Sequence, residues 1–312
     1  MSPYFIITAG ATGSGKTGLI NKTMEYLNIS DQPFVKILVD DLVENDINYK
    51  YKIKNIIDDV SKYCVMDNNI LSNKSKKRFK QNCETNAYNN PNKELYKAFS
   101  DAYFSTRKAK GCINNSDNLT CDELNDKNIK DATSQSKNIV FEFTGGYIPD
   151  WLLNPTWIPE QYTIVITYSL VTLANLVNRN KSRAYTALKA FDKDFRLPAP
   201  RLPDVSYDTF KKTVTSIYDV LVNIYELCIL NYDKVKCGER QINQLLLFDN
   251  NGKSLVNIFD SNKNKIEKPE FIDMISNSFG LVENKQGGYR KKSKGGYRKK
   301  SKNFKRSLRN NY

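Results

Sequence analysis

A run of six bulky residues, YFIITA (residues 4–9), passes directly into GATGSGKT (residues 10–17), and a helical apolar pattern begins at once behind it. Short, apolar and β-branched, the run reads as a strand buried on both faces. Glycines at 10, 13 and 15 let successive backbone N–H groups wrap a phosphate chain, and the following helix N-terminus adds positive potential. The eight residues satisfy G-x-x-x-x-G-K-[ST] in full. In that pattern the lysine, here Lys16, reaches the β- and γ-phosphates, and the hydroxyl, here Thr17, binds Mg²⁺. Gly10, Gly13, Ser14, Gly15, Lys16 and Thr17 are therefore the expected binders of a nucleoside triphosphate, ATP or GTP, with Thr17 the metal ligand.

The rest of the chain repeats the alternation. Leu19, Ile20, Met24 and Leu27 predict a helix over 16–27. FVKILV (34–39) reads as a second strand ending at Asp40 and Asp41. Further strands are expected over 139–143 and 162–168, and long helices over 171–190 and 207–232. Residues 245–259 read as a hairpin turning at DNNG. Strands alternating with helices predict an α/β chain of P-loop NTPase type, a mostly parallel sheet flanked by helices and closed by the hairpin.

Residues 61–137 break that rhythm, being rich in Asn, Lys and Ser. One sided helix stands out, starting behind Pro91, with Leu95, Phe99, Ala102, Tyr103 and Thr106 on its apolar face until Gly111. The remainder of this insertion is expected to be loop or a lid over substrate. The predicted organisation is a kinase-like domain over 1–260, a linker or short helix over 261–284, and a tail over 285–312.

That tail holds 12 of the 48 Lys and Arg residues and none of the 34 Asp and Glu residues, so residues 1–284 are left nearly neutral. It repeats GGYRKKSK twice, has almost no aliphatic content, and is expected to be disordered. Arg and Lys interleaved with Tyr289 and Tyr297 suit phosphate contact plus base stacking, so nucleic acid is a candidate partner of the tail. No membrane segment and no signal peptide are expected, because the apolar run at 4–8 is too short and leads into the glycine loop. An intracellular, non-secreted protein is the expectation. With it go reduced thiols at the six cysteines, since the spacing of Cys64, Cys83, Cys112 and Cys121 matches no zinc ribbon.

Histidine is absent. That excludes Ser-His-Asp and Cys-His triads and His-held metals, so proton transfer falls to Asp or Glu. Asp40 and Asp41 close a strand beside the glycine loop, at the carboxyl edge where parallel sheets place ligands. A carboxylate there can take a proton from an attacking hydroxyl. Glu142 follows an apolar strand and stands where an acid can orient Mg²⁺ or substrate. No Asp-Glu pair follows that strand, which favours a kinase over a mechanical ATPase. Arg179 and Arg183 lie one turn apart on a helix, and Arg196 and Arg201 flank a proline loop. Cations so placed can stabilise a phosphoryl group in flight.

In this order the motifs resemble the zeta-toxin-like P-loop kinases over about residues 1–260. GATGSGKT is similar to that family's GxPGSGKT/S, with Thr12 in place of proline. LVDD (38–41) is similar to its Ile-Asp-x-Asp, FEFTG (141–145) to its Ile-Glu-Gly-Thr-Gly, and LFDNNG (247–252) to its Leu-Tyr-Asn-x-x-Gly hairpin. The resemblance implies ATP-dependent phosphoryl transfer to a hydroxyl. Asp41 is implied as base, with Lys16, Arg179 and Arg201 on the phosphates, Arg196 in reserve, and Glu142 in a supporting catalytic role. Gly146 stands where the toxin has arginine, and the insertion is unlike the family. Both lie where the acceptor would bind, so nucleotide sugars and nucleotides both stay open as acceptors. A polynucleotide end kinase and a nucleotide-binding protein without transfer activity are the alternatives.

Overall fold

A computed structural model of the 312-residue chain describes residues 2–60, 93–202, 206–232, 237 and 239–281. The basic tail, Cys64, Cys83 and the first half of the insertion lie outside the described residues, so the disorder and nucleic-acid contacts expected of the tail have no structural counterpart here.

Strand β1 (Tyr4–Ala9) is the centre of a six-stranded sheet with order β2-β3-β1-β4-β5-β6. Its partners are β3 (Asn138–Phe143) and β4 (Thr163–Leu170); β2 (Phe34–Ile37) and β5 (Gln244–Asp249) extend the sheet in parallel. β6 (Val256–Asp260) pairs antiparallel with β5, which completes the expected hairpin. The unbroken apolar character of β1 has a direct cause. Phe5, Ile7 and Ala9 enter one core, while Ile6 enters another on the opposite face.

Helix α1 (Lys16–Tyr26) follows the glycine loop and buries Leu19 and Ile20 against the Ile6 face. The other face is covered by α6 (Leu173–Lys193), α7 (Tyr207–Asn223) and α8 (Lys268–Phe279), with α7 running on as a π-helix, Ile224–Leu230. The segment Tyr207–Leu230 is long and apolar enough to cross a membrane by length and composition alone. Its apolar stripe of Phe210, Val214, Ile217, Leu221 and Ile224 is spent in this core. α8 buries Phe271, Ile275 and Phe279 there as well, so this core extends past residue 260.

Three expectations need correction. The second strand ends at Ile37. Val39–Asn45 is instead a helix, α2, that carries Asp40 and Asp41 in its first turn. Leu38 is the extended cap at which the chain turns. α3 (Ile47–Asp58) follows at once, its first amides held by the buried Asp46 carboxylate, which accepts from Asn48 N at 2.8 Å and Tyr49 N at 3.2 Å.

The described part of the insertion holds more helix than expected. The sided helix is present as α4 (Lys93–Arg107), and a second helix, α5 (Cys121–Ser134), follows it. α5 opens on a capping box between Thr120 and Glu123. Its buried face mixes Cys121, Ile129 and Ala132 with the polar Asn125 and Thr133. α2, α3 and α4 share a core of their own with the C-terminal end of α6.

The four described cysteines are paired, where free thiols were expected. Cys112 joins Cys121 and Cys228 joins Cys237, each across a sequence separation of 9. Cα–Cα distances of 5.1 and 5.6 Å permit both bonds, which spacing alone could not show. Each short closed loop is expected to contribute roughly 2–3 kcal/mol. A reductant should therefore lower the melting temperature by about 5 °C or more, and Cys112→Ser/Cys121→Ser should show part of that drop without reductant. A melting curve indifferent to reductant would show that the pairs do not stabilise the protein.

Candidate active site

The glycine loop has the backbone its sequence calls for. Gly13 and Gly15 take φ of 82° and 86°, a region that favours glycine. A Cβ on Gly15 would stand 2.6 Å from the Asn250 amide, so the close approach of the β5–β6 turn also needs glycine there.

Lys16 points back over this loop. Its Nζ donates to Gly10 O at 3.0 Å and lies 3.5 Å from Glu142 Oε1 at the end of β3. Both side chains are well covered, at 11% and 16% exposure. Burial pushes the Lys16 amine below its ordinary value, against the opposing pull of Glu142. Burial likewise pushes the Glu142 carboxyl up, against the pull of Lys16. Each charge is poorly solvated, which is the setting in which a phosphate oxygen gains most from a cation.

Arg201 arrives from the proline loop and makes two ion pairs on α2. Nη2 lies 2.8 Å from Asp40 Oδ2, and Nε donates to Glu44 Oε1 at 2.9 Å. The hydroxyl of Tyr103, on α4, donates to the other Asp40 oxygen. Asp40 is thus held on both sides, and its charge acts on both Lys16 and Glu142.

Asp41 stands differently. It is exposed at the rim of the same cleft, and among the described residues no side-chain hydrogen bond or ion pair to its carboxylate is seen. Desolvation against the cleft wall, and then the neighbouring Asp40 charge, push its carboxyl above the ordinary value.

The four arginines separate clearly. Arg201 belongs to the cluster. Arg179 donates to Asn250 O at 2.6 Å, on the β5–β6 side of the loop. Arg183, one turn further along α6, lines the cleft. Arg196 is 91% exposed and bound to Asp194. It does not line the cleft, which leaves the reserve role without geometric support.

The cleft has a volume of about 760 Å³ and runs from Thr17 and Lys16 past Asp40, Asp41 and Glu142 to Arg201. A second cavity of about 350 Å³ opens beside it, walled by Tyr96, Phe99, Tyr103 and Phe104 of α4, with Phe210 of α7. Arg183 and Arg201 border both spaces. The exposed Thr17 hydroxyl with the Glu142 carboxylate in the same cleft is an oxygen-donor set that suits Mg²⁺. Among the described residues no group of three or more His, Cys, Asp or Glu forms a metal site independent of a nucleotide.

Sequence reasoning missed Tyr103, Glu44 and Asn180. Tyr103 was visible only as part of an apolar helix face. Glu44 and Asn180 carried no motif, and only the fold brings them to the loop. The residues it did single out fall on separate elements: Lys16 on α1, Glu142 on β3, the aspartates on α2, and Arg201 in the α6–α7 connection.

The sheet order, the glycine loop between β1 and α1, and Glu142 at the end of β3 define a P-loop NTPase fold. No family model matches the chain, and no curated protein matches it. Among solved structures, it is similar to a chain described as belonging to the PezAT chromosomal toxin-antitoxin system of the human pathogen Streptococcus pneumoniae. The match covers 91% of this chain and 81% of that one, at 10% identity and a TM-score of 0.48.

Proposed function

We propose that this chain is an ATP-dependent kinase that moves a γ-phosphoryl group onto a hydroxyl acceptor. One observation carries the reading: Lys16, Arg201 and a carboxylate on α2 meet in one cleft although they come from distant parts of the chain. A protein that only bound nucleotide would need the loop and Lys16. It would not need an acid and a second cation facing the phosphate end.

In this reading the triphosphate lies on the loop amides with Lys16 at its β- and γ-phosphates. Thr17 and Glu142 would hold Mg²⁺, whose charge offsets that of the phosphates. The acceptor enters from the aromatic cavity, which is within the size range of small-molecule sites. Its hydroxyl oxygen bonds to the γ-phosphorus while the bond to the β,γ-bridging oxygen breaks. ADP leaves with that electron pair, and the hydroxyl proton passes to a carboxylate on α2. Asp40 is the carboxylate coupled to Lys16 and flanked by the cavity wall, so it is assigned the proton. Asp41, the base implied by the motif resemblance, is the competing assignment. Arg201 and Arg183 are positioned to follow the phosphoryl charge. GTP can replace ATP in this scheme, since nothing described selects the base.

The test is transfer of labelled γ-phosphate from ATP to UDP-amino sugars, nucleosides and 5′-hydroxyl oligonucleotides. At least one acceptor class should become labelled, and Lys16→Ala should remove the label. Tight ATP binding with no transfer to any acceptor would favour the non-catalytic alternative.

A further inference from the structure

Asn180 is a buried polar side chain that the proposed chemistry leaves unused. It lies on α6 between Arg179 and Arg183 and is 1% exposed. Its Nδ2 donates to Thr12 O in the glycine loop at 2.7 Å and to Leu176 O of its own helix at 2.8 Å. Its Oδ1 is buried with no hydrogen-bond partner. An orphaned buried acceptor lowers stability, and an apolar side chain of the same size would avoid that cost. The site is also tightly built, since a Cβ on Gly13 would stand 2.3 Å from the Asn180 amide nitrogen.

The loop's geometry gives the amide a purpose. If consecutive N–H groups are to converge on a phosphate, some loop carbonyls must turn the other way and need donors behind them. Ser14 O has two, from Ser169 Oγ at 2.6 Å and Asn250 Nδ2 at 2.7 Å. Thr12 O is met by Asn180. Asn180 differs from the other two donors in sharing a helix with Arg183, which borders both the cleft and the aromatic cavity.

We propose that Asn180 is a positioning residue for the nucleotide's phosphates. It holds the Thr12 carbonyl away from the phosphate, so that the loop amides face it before ligand arrives. Through the same amide it fixes α6 in register with the loop, which places Arg183 at the cleft. This inference rests on the nucleotide site proposed above and adds a residue to it.

The test uses the full chain with Mg·ATP, Mg·ADP and a fluorescent ATP analogue, together with melting curves taken without nucleotide. Asn180→Leu should bind ATP and ADP about tenfold more weakly, the loss expected when one well-made hydrogen bond is removed. Its melting temperature should stay near that of the parent, because the orphan acceptor goes while the Thr12 carbonyl loses its donor. Asn180→Asp keeps the shape but removes the donor, and should weaken both nucleotides at least as much. Parent-like affinity in both variants would overturn the proposal. So would affinity losses that track a falling melting temperature, because that pattern marks a packing residue. Lys16→Met in the same series separates the two levels of inference. If Lys16→Met binds ATP like the parent, the nucleotide site itself is wrong; if it fails to bind while Asn180→Leu binds normally, only this inference is wrong.

Discussion

Lys16→Met should lower phosphoryl transfer by a factor on the order of 10²–10³, the usual loss when a preorganised partner of a developing charge is removed. The size follows from placement. Lys16 is 11% exposed and sits over the loop that wraps the phosphates, so water cannot replace its charge. Removing Lys16 leaves the Glu142 carboxylate buried without its cation, which destabilises the fold, so melting curves must accompany the kinetics. The variant's pH dependence gives an independent check. Burial already raises the Glu142 carboxyl, and loss of Lys16 removes the main pull in the other direction. A carboxyl whose folded pKa lies above its unfolded value adds stability below the unfolded pKa and loses it as pH rises through the folded one. The variant should therefore be closest to the parent in melting temperature in mild acid and fall furthest behind at neutral pH and above. Transfer at parental rates, measured with labelled ATP, would remove Lys16 from the chemistry and the kinase reading with it.

The second large effect is expected at the acidic pair. Asp40→Asn should cost about 10²–10⁴ in kcat, the range of general-base contributions, with little change in ATP affinity. Asp41→Asn should cost less than about tenfold. The contrast follows from the cluster. Asp40 is held by Arg201 and Tyr103 and acts electrostatically on Lys16, whereas Asp41 looks out from the rim. Asp40→Asn also takes one carboxylate from Arg201, which retains Glu44, so melting curves must accompany the kinetics. If Asp41→Asn shows the larger fall in kcat while Asp40→Asn stays active, the proton goes to Asp41. Two active variants would mean that neither aspartate accepts it.

The insertion shows why some of the molecule could be read from its sequence and some could not. α4 announced itself through Leu95, Phe99 and Tyr103 at helical spacing. α5 was fainter, since its buried face mixes Cys121, Ile129 and Ala132 with the polar Asn125 and Thr133. α2 was hidden. A four-residue strand running through one extended residue into a helix looks, in sequence, like a six-residue strand ending in acids. The disulfides were hidden for a different reason: pairing is a matter of distance, and nothing in a separation of nine residues distinguishes a bridge from two thiols.

The local chemistry of residues 10–17 and the alternation of strands and helices were legible from the residues alone. Both are short-range. Glycines permit a backbone that other residues resist, and a strand buried on two faces must be apolar throughout. The packing of the fold sets which acid and which arginine share the cleft, brings Asn180 behind the loop, and makes α4 the wall of a cavity beside it. Those facts depend on residues separated by tens to hundreds of positions. Their meeting is set by how the sheet orders its strands and how the helices pack upon it, and no local pattern encodes that.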